Sequence, residues 1–501
     1  MSFIAPMKKI LLLGLPAVLA ARVAVADIRL ANLFTDHAVL QRNTVVPVWG
    51  TATDGKTITV SFNGQKVSAV AKDGRWMVRL QPLKAGGPYT LTASGDGMVT
   101  VTDILVGDVW LCSGQSNMDK EVGPHKNQPD VDNYQQELAK ANHPQIRLFK
   151  VPAKEGAVTP QEEVNTAWSL CDSAHVRAFS AAGYFFGRDL QPEIKVPLGL
   201  IHSCWGGTAA EYWLDKSVMA ADPELRSLVT SYEESMQGYE EKSARLQEAL
   251  KAAAAAGTTD TASVKAYNQL KLLKRNGGGL YNAMIYPLRN FPITGVIWYQ
   301  GESNSDRAKQ YETLFPALIK NWRDTWHQDL PFLFVQIAPN KSKGPDLREA
   351  QFLTWKRVPN TFMAVITDGI DSTFNLHPGN KQLVGARLAL AARAMVYREK
   401  LEYSGPVYES AIFKGSQAIL SFSHTGKGLV AKNGPLTGFT IAGEDKVFVP
   451  AKATISGNKL VVTAEGVKRP VAVRFGWTDI PHDNFYNSAD LPASPFRTDV
   501  D

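Results

Sequence analysis

Cysteine is scarce in this 501-residue chain, which contains only three: Cys112, Cys171 and Cys204. Three cysteines are too few for a disulfide framework, and at least one of them has no partner within a monomer. We therefore expect the cysteines to be small buried apolar residues. The nine histidines are scattered, and no group of histidines and cysteines has the spacing of zinc ligands. The sequence implies neither a metal nor any other cofactor.

A concentrated positive charge is also missing. The 54 lysines and arginines face 48 aspartates and glutamates, and the net charge of +6 is spread along the chain without a basic run. Without a basic face carrying interleaved aromatic residues, nucleic acid is not an expected partner. The hydrophobic share of 44% is ordinary for a globular protein. The chain length predicts about two to four domains.

Beyond the N-terminus, no stretch of the sequence is long and apolar enough to span a membrane. The N-terminus itself is typical of a secretory signal, because two lysines precede a short apolar run at 10–15 and the small residues Ala24 and Ala26 follow. We expect residues 1–26 to be removed, which predicts a secreted or periplasmic protein without a membrane contact. The alternative is an uncleaved N-terminal anchor.

Three apolar stretches each run into a turn of glycine and polar residues, at 109–118, 201–208 and 295–304. The first turn carries Ser116 at its apex. A strand that ends in Gly-x-Ser before a helix places the hydroxyl at the carboxyl edge of a sheet, where free N–H groups can stabilise an oxyanion. A single turn of this kind is more often a helix N-cap. Three of them indicate one site, with Ser116 as its nucleophile.

With a histidine downstream, this set of turns resembles the SGNH hydrolase superfamily and, within it, the sialate O-acetylesterase family. The resemblance covers most of the chain after residue 26 and is carried by GQSNM at 114–118, WGGT at 205–208, WYQGESN at 298–304 and HPGNK at 377–381. It implies an α/β hydrolase domain of three layers around a parallel sheet. It also implies that His377 is the base that accepts the proton of Ser116.

The same resemblance implies the donors of an oxyanion hole. These are the backbone N–H of Ser116, the backbone N–H of Gly207 and the side-chain amide of Gln300. Asn304 competes with Gln300 for the third position, because the superfamily often uses asparagine in this block.

Further side chains near the turns have expected roles. Trp205 and Trp298 are candidates for an apolar wall against a sugar face or an acetyl methyl group, with buried packing as the equal alternative. Glu302 is expected to hold loops together, since an ionised carboxylate cannot donate to an oxyanion. Glu211 is expected to pair with Arg387.

The third member of a catalytic triad is not evident. Many SGNH hydrolases carry aspartate three residues before the histidine, where this chain has Phe374. Asp368 and Asp371 are nearby carboxylates that could orient the ring of His377. A backbone carbonyl such as that of Asn375, or a water molecule, could do the same. We favour the carbonyl or water over either aspartate.

The pattern along the chain predicts β-rich domains on both sides of the hydrolase domain. Short alternating runs indicate a β-sandwich over 27–105, which could bind glycan or only pack on its neighbour. Strands separated by helices indicate the α/β domain over 106–397, with Ser180 capping one helix. A helix-loop-helix insertion is expected at about 218–278. Strand patterns return in a C-terminal β-rich domain over 398–501.

These observations predict an exported carbohydrate O-acetylesterase that resembles sialate 9-O-acetylesterase and acts on an O-acetylated sugar or glycan. An acetylesterase for plant polysaccharide, xylan or xyloglucan, is the alternative within enzymes. A glycan-binding protein without turnover is the alternative of another class.

Overall fold

The computed structural model describes residues 28–124, 128–153, 155–370 and 375–499. The predicted signal segment, 1–26, lies outside the described residues, as does Asp371.

The described chain begins with eight strands: β1 (Arg29–Leu30), β2 (Val39–Gln41), β3 (Val46–Thr51), β4 (Thr57–Phe62), β5 (Gln65–Val70), β6 (Arg75–Leu80), β7 (Gly86–Ser94) and β8 (Met98–Gly114). Their side chains alternate between core and solvent, as in β3, where Val46 and Val48 are buried. β1, β3 and β6 form one antiparallel sheet, and β4, β5, β7 and β8 form part of a larger one in which β2 runs parallel to β8.

Helices and strands then alternate, as a parallel sheet requires. The elements are α1 (Ser116–Asp119), α2 (Tyr134–Lys140), β9 (Asn142–Lys150), β10 (Trp168–Asp172), α3 (Ser173–Val176), α4 (Ala181–Ile194), β11 (Leu198–Cys204), α5 (Lys216–Ala221), α6 (Arg226–Ser235), α7 (Tyr239–Ala255), α8 (Thr261–Leu272), β12 (Gly295–Tyr299), α9 (Ala308–Trp326), β13 (Phe332–Val335), α10 (Pro345–Arg357), β14 (Thr361–Ala364) and α11 (Lys381–Met395). Short turns of 3₁₀ or π type occupy Ala210–Trp213, Leu273–Arg275, Tyr281–Ile285, Tyr286–Leu288 and Glu302–Arg307. The strand order is β10-β9-β11-β8-β12-β13-β14, and in this series β10 alone is antiparallel to its neighbour.

This sheet is buried on both faces, which explains why its strands are continuously apolar. In β8, Val109 and Leu111 belong to the core on one face, while Trp110 and Cys112 belong to the core on the other. α9 packs on the first face, and α4 and α11 pack on the second. The mixed α/β architecture predicted from the sequence is therefore present, with helices on both sides of the sheet.

β8 is 17 residues long and joins the N-terminal strands to the α/β sheet. Its first half pairs with β7 and β2, and its second half pairs with β11 and β12. The strand crosses the predicted domain boundary between 105 and 106 without a break. Side chains such as Leu40 and Val48 share one hydrophobic core with α9.

The insertion predicted as a helix-loop-helix at about 218–278 is helical, but it contains α6, α7 and α8 rather than two helices. α6 and α7 are separated at Gly238, whose φ of 68° lies in the left-handed region that favours glycine. The predicted cap of α4 is confirmed, because Ser180 Oγ accepts a hydrogen bond from the N–H of Gly183 at 3.0 Å. No helix among the described residues has the length and apolarity needed to cross a membrane.

The last part of the described chain consists of short strands with a core of their own. Its sheets have the orders β15-β16-β21-β20, β19-β18-β22-β24 and β17-β23. The strands are β15 (Val407–Lys414), β16 (Gln417–Ser423), β17 (Leu429–Ala431), β18 (Phe439–Ala442), β19 (Phe448–Pro450), β20 (Lys452–Ser456), β21 (Lys459–Thr463), β22 (Ala472–Phe475), β23 (Phe485–Asn487) and β24 (Phe496–Arg497).

All three cysteines are free and buried, which confirms the expectation from their number. Burial raises the pKa of the Cys171 thiol to about 12 and raises the pKa of the other two thiols as well. A thiol that stays protonated is a poor nucleophile, so these side chains act as apolar core residues.

The close contact between α4 and α11 gives a first prediction. An ideal Cβ on Gly385 would lie 2.4 Å from Phe185 Cβ and 2.6 Å from Phe186 N. Gly385→Ala should therefore destabilise the protein by about 1–3 kcal/mol, because the helices must move apart. Thermal denaturation measures the change. Gly97→Ala is the control, since its Cβ would meet nothing within 4 Å; equal melting temperatures for the two variants would contradict the packing argument.

Candidate active site

Ser116 lies at the carboxyl edge of the sheet, directly after the central strand β8. Gly114 makes the sharp exit possible, because its φ is 141° and a Cβ there would lie 2.2 Å from the carbonyl oxygen of Tyr299. The N–H of Gln115 donates to that same carbonyl at 3.0 Å. The turn is thus fixed against β12, and the Ser116 side chain remains half-buried rather than enclosed.

His377 is 261 residues away in sequence, yet its Nε2 lies 2.8 Å from Ser116 Oγ. Asn375 fixes the loop on which the histidine stands: its Oδ1 accepts from the His377 N–H at 2.8 Å, and its Nδ2 donates to the His377 carbonyl at 2.8 Å. A neutral imidazole at this distance can take the hydroxyl proton.

A buried polar network joins the turn that carries Ser116 to the loop that carries His377. Asn117 Nδ2 donates to Glu302 Oε1 at 2.6 Å and to the carbonyl oxygen of Leu376 at 2.8 Å, and Asn117 Oδ1 accepts from Lys381 Nζ at 2.6 Å. Burial raises the pKa of Glu302, although the hydrogen bond from Asn117 and the charge of Lys381 act in the opposite direction. Glu302 therefore joins loops, as expected. Asn117 and Lys381 were not predicted as site residues, although they stand in the GQSNM and HPGNK motifs.

The second turn lies against the serine. A Cβ on Gly206 would be 3.4 Å from Ser116 Cβ, and the Gly206 N–H donates to Asp119 Oδ2 at 3.3 Å. Gly207 is exposed with a φ of 68°, and a Cβ built on it would meet nothing within 4 Å. Within the described ranges, neither the N–H of Ser116 nor that of Gly207 donates to a protein acceptor. Both are available to a ligand.

The expected role of Gln300 in the oxyanion hole is wrong. The side chain is fully buried, and its Nε2 donates to the Thr208 carbonyl at 3.3 Å and to Asn304 Oδ1 at 2.7 Å. Its Oε1 accepts from the Tyr311 hydroxyl at 3.1 Å. Asn304, the competitor, is equally buried and donates to Glu211 Oε2 at 2.9 Å. These amides tie the second turn to the third instead of facing a substrate.

Trp298 is also not a substrate-binding residue. It is fully buried and packs against Trp213, Trp322 and Phe315, because the alternation of β12 directs it to the α9 face of the sheet. Trp205 differs, since it remains partly exposed beside the glycine turn and the guanidinium carbon of Arg275 lies 5.1 Å from its ring centroid.

Asp368, one of the two candidate triad acids, is paired with an arginine in the structure. Its two carboxylate oxygens accept from Arg387 at 2.6 and 2.7 Å, in a bidentate pair. Burial raises the pKa of Asp368, but Arg387 outweighs it and the net shift is downward. The expected pairing of Glu211 with Arg387 is wrong, because Glu211 Oε1 accepts from Arg307 at 2.7 Å. Asp371 lies outside the described residues.

The chain matches one family model and several named relatives. The family model described as carbohydrate esterase, sialic acid-specific acetylesterase, matches residues 106–268 and 254–394. The chain belongs to this family of carbohydrate esterases. It is 32% identical to the sialate O-acetylesterase of Mus musculus, across 97% of this chain and 98% of the relative. The sialate O-acetylesterase of Homo sapiens is also 32% identical, across 97% of this chain and 95% of the relative.

A solved structure shows the same architecture. The carbohydrate acetylesterase from Xanthomonas citri is 39% identical and superposes with a TM-score of 0.80, across 95% of this chain and 100% of that chain. The protein is therefore an esterase. Within the part of the chain that the structure describes, no group of three or more histidine, cysteine, aspartate or glutamate side chains is placed to hold a metal ion.

The pairing of Asp368 with Arg387 gives a prediction for this esterase. Asp368→Asn should destabilise the fold by about 1.5–3 kcal/mol, because it weakens a hydrogen-bonded ion pair with a buried arginine. Turnover of an aryl acetate, measured well below the melting temperature, should stay within a few-fold of wild type. A loss of about 10²- to 10⁴-fold in turnover would instead identify Asp368 as the triad acid.

Arg387→Gln is the matched control, since it removes the same pair from its other side and should lower stability similarly. The pH dependence adds a check. A carboxyl whose pKa is lower in the folded state stabilises the fold above its unfolded pKa of about 4, and this contribution is lost as pH falls below that value. The difference in stability between wild type and Asp368→Asn should shrink below about pH 4.

Proposed function

We propose that the protein is a carbohydrate O-acetylesterase that works through an acetyl-enzyme on Ser116. The observation that carries the proposal is the 2.8 Å separation between Ser116 Oγ and His377 Nε2 at the open edge of the sheet. His377 takes the hydroxyl proton as the oxygen attacks the acetyl carbonyl. It then protonates the departing sugar alkoxide, and water activated by the same ring releases acetate.

The developing oxyanion is stabilised by the backbone N–H groups of Ser116 and Gly207. Both are without a protein acceptor in the described structure, and the surroundings of Gly207 are open, because a Cβ built there would meet nothing within 4 Å. Each donor of this kind is worth about 2.7–4 kcal/mol to the transition state. The buried amide of Gln300 acts indirectly, because it holds the carbonyl of Thr208, the residue after Gly207.

Two kinds of group could orient the His377 ring. Asn375 holds the backbone of His377. A backbone carbonyl or a bound water is the favoured acceptor for the ring, and Asp371 is the carboxylate alternative. A neutral acceptor suffices for this reaction, since a sugar alkoxide leaves more readily than an amine.

The substrate is an O-acetylated sugar. The relatives named as sialate O-acetylesterases support an acetylated sialate, and the structural neighbour is named only as a carbohydrate acetylesterase. An acetylated plant polysaccharide, xylan or xyloglucan, remains the second candidate, since the same turns serve neutral sugars. A glycan-binding protein without turnover is disfavoured by the hydrogen-bonded serine and histidine.

The proposed nucleophile and base give a prediction for activity. Ser116→Ala and His377→Ala should each lower the release of acetate by about 10³-fold or more, because neither step proceeds without the pair. Circular dichroism should be unchanged, since neither change opens a core cavity. Ser303→Ala is the control: it removes a hydroxyl from the neighbouring loop and should retain activity. Full activity of Ser116→Ala would overturn the mechanism.

We also propose export, with residues 1–26 as a cleaved signal. N-terminal sequencing of the protein recovered outside the cytoplasm should give a chain that begins near Asp27, because Ala24 and Ala26 fit the cleavage groove. Ala26→Trp should block processing while leaving the folded enzyme unchanged. Recovery of the wild-type chain from a membrane fraction with Met1 intact would contradict cleavage.

A further inference from the structure

We propose that Arg275 binds a carboxylate of the sugar that carries the acetyl ester, so that the enzyme selects anionic acetylated sugars over neutral ones. This inference rests on the proposed function and adds a residue that determines specificity.

The position of Arg275 supports this role. It stands in the turn Leu273–Arg275, at the end of the helical insertion, and its guanidinium carbon lies 5.1 Å from the centroid of the Trp205 ring. The backbone N–H of Trp205 donates to the Gly114 carbonyl at 3.3 Å. The next residue, Gly206, lies against Ser116. Two successive contacts therefore connect Arg275 to the serine.

Arg275 is half-buried, and its own hydrogen bond goes to a neutral acceptor, the Leu272 carbonyl, at 3.3 Å from Nε. No carboxylate in the described residues forms an ion pair with it. Burial lowers the pKa of Arg275, which shows that its charge is partly desolvated. A desolvated charge without a counterion gains free energy when an anion binds. The guanidinium lies over the ring of Trp205, and its planar fork of N–H groups suits a bidentate carboxylate.

The other cations near the site are already engaged. Arg307 pairs with Glu211 at 2.7 Å, and Lys381 is buried on Asn117. Lys343 Nζ donates to Ser305 Oγ at 2.9 Å, and its charge acts on the buried carboxyl of Glu302. In the described residues, Arg275 contacts the face of Trp205 and a backbone carbonyl, and it forms no ion pair with a carboxylate.

The test compares one sugar in two charge states. The substrates are an O-acetylated sialic acid and its primary amide, which has the same acetyl ester but no carboxylate. The measured quantity is the ratio of kcat/KM for the acid to kcat/KM for the amide, in wild type and in Arg275→Gln. Hydrolysis of a neutral aryl acetate by wild type is measured alongside, as a test of the proposed function alone.

Lys274→Gln is the matched control, because Lys274 is the adjacent residue and its Nζ lies 4.9 Å from the centroid of the Tyr239 ring instead. We expect wild type and Lys274→Gln to prefer the acid and Arg275→Gln to lose about 10- to 100-fold in the ratio, the value of a charge-assisted bidentate contact. Arg275→Lys should keep part of the preference. Added NaCl should lower the ratio for wild type but not for Arg275→Gln.

Equal loss on both substrates in a folded Arg275→Gln, or no preference for the acid in wild type, would overturn the inference while leaving the proposed function intact. Absence of hydrolysis of the aryl acetate and of both sugars by wild type would overturn the two together.

Discussion

The geometry of this site depends on one buried amide. Asn117 follows the proposed nucleophile directly and binds three separate segments: Glu302 after β12, the Leu376 carbonyl beside the histidine, and Lys381 at the start of α11. In the low dielectric of a core, breaking one of these hydrogen bonds leaves a buried polar group unpaired at a high cost, so the three segments do not shift independently. The distance between serine and histidine is therefore a property of the whole carboxyl edge of the sheet rather than of either loop.

The location of the site could be predicted because it follows from topology. β8, β11 and β12 are adjacent and parallel, so their carboxyl ends meet at one edge, and three strand-to-turn motifs in the sequence indicate one site. Burial of both sheet faces explains the apolar runs that precede those turns. The structure places His377 beside Ser116, and this contact is not readable from spacing because 261 residues separate the two; the family resemblance supplied it.

The errors concern side chains whose orientation or partners are set by tertiary packing. Trp298 and Tyr299 are neighbours on β12, yet they face opposite cores, and the sequence does not say which of the two faces carries α9. Gln300 follows them, and its amide is engaged by Thr208 from the second turn and by Asn304 and Tyr311 from the chain just after β12. Asp368 is likewise taken by Arg387, from α11. A polar residue in a motif can therefore hold the segments of a site together as readily as it can contact the substrate.

The reacting serine and histidine and the arginine proposed to select the sugar come from different parts of the chain. The insertion leaves the carboxyl end of β11 and returns to β12, so it is connected to the sheet beside the serine turn while contributing no strand to it. The register of the sheet and the network of Asn117 fix the reacting groups, and neither involves a residue of α5 to α8. Arg275, which we propose binds the carboxylate of the sugar, contacts Trp205 from this insertion. If that proposal holds, a change in the insertion alters which sugar is preferred, while the sheet keeps serine and histidine in contact.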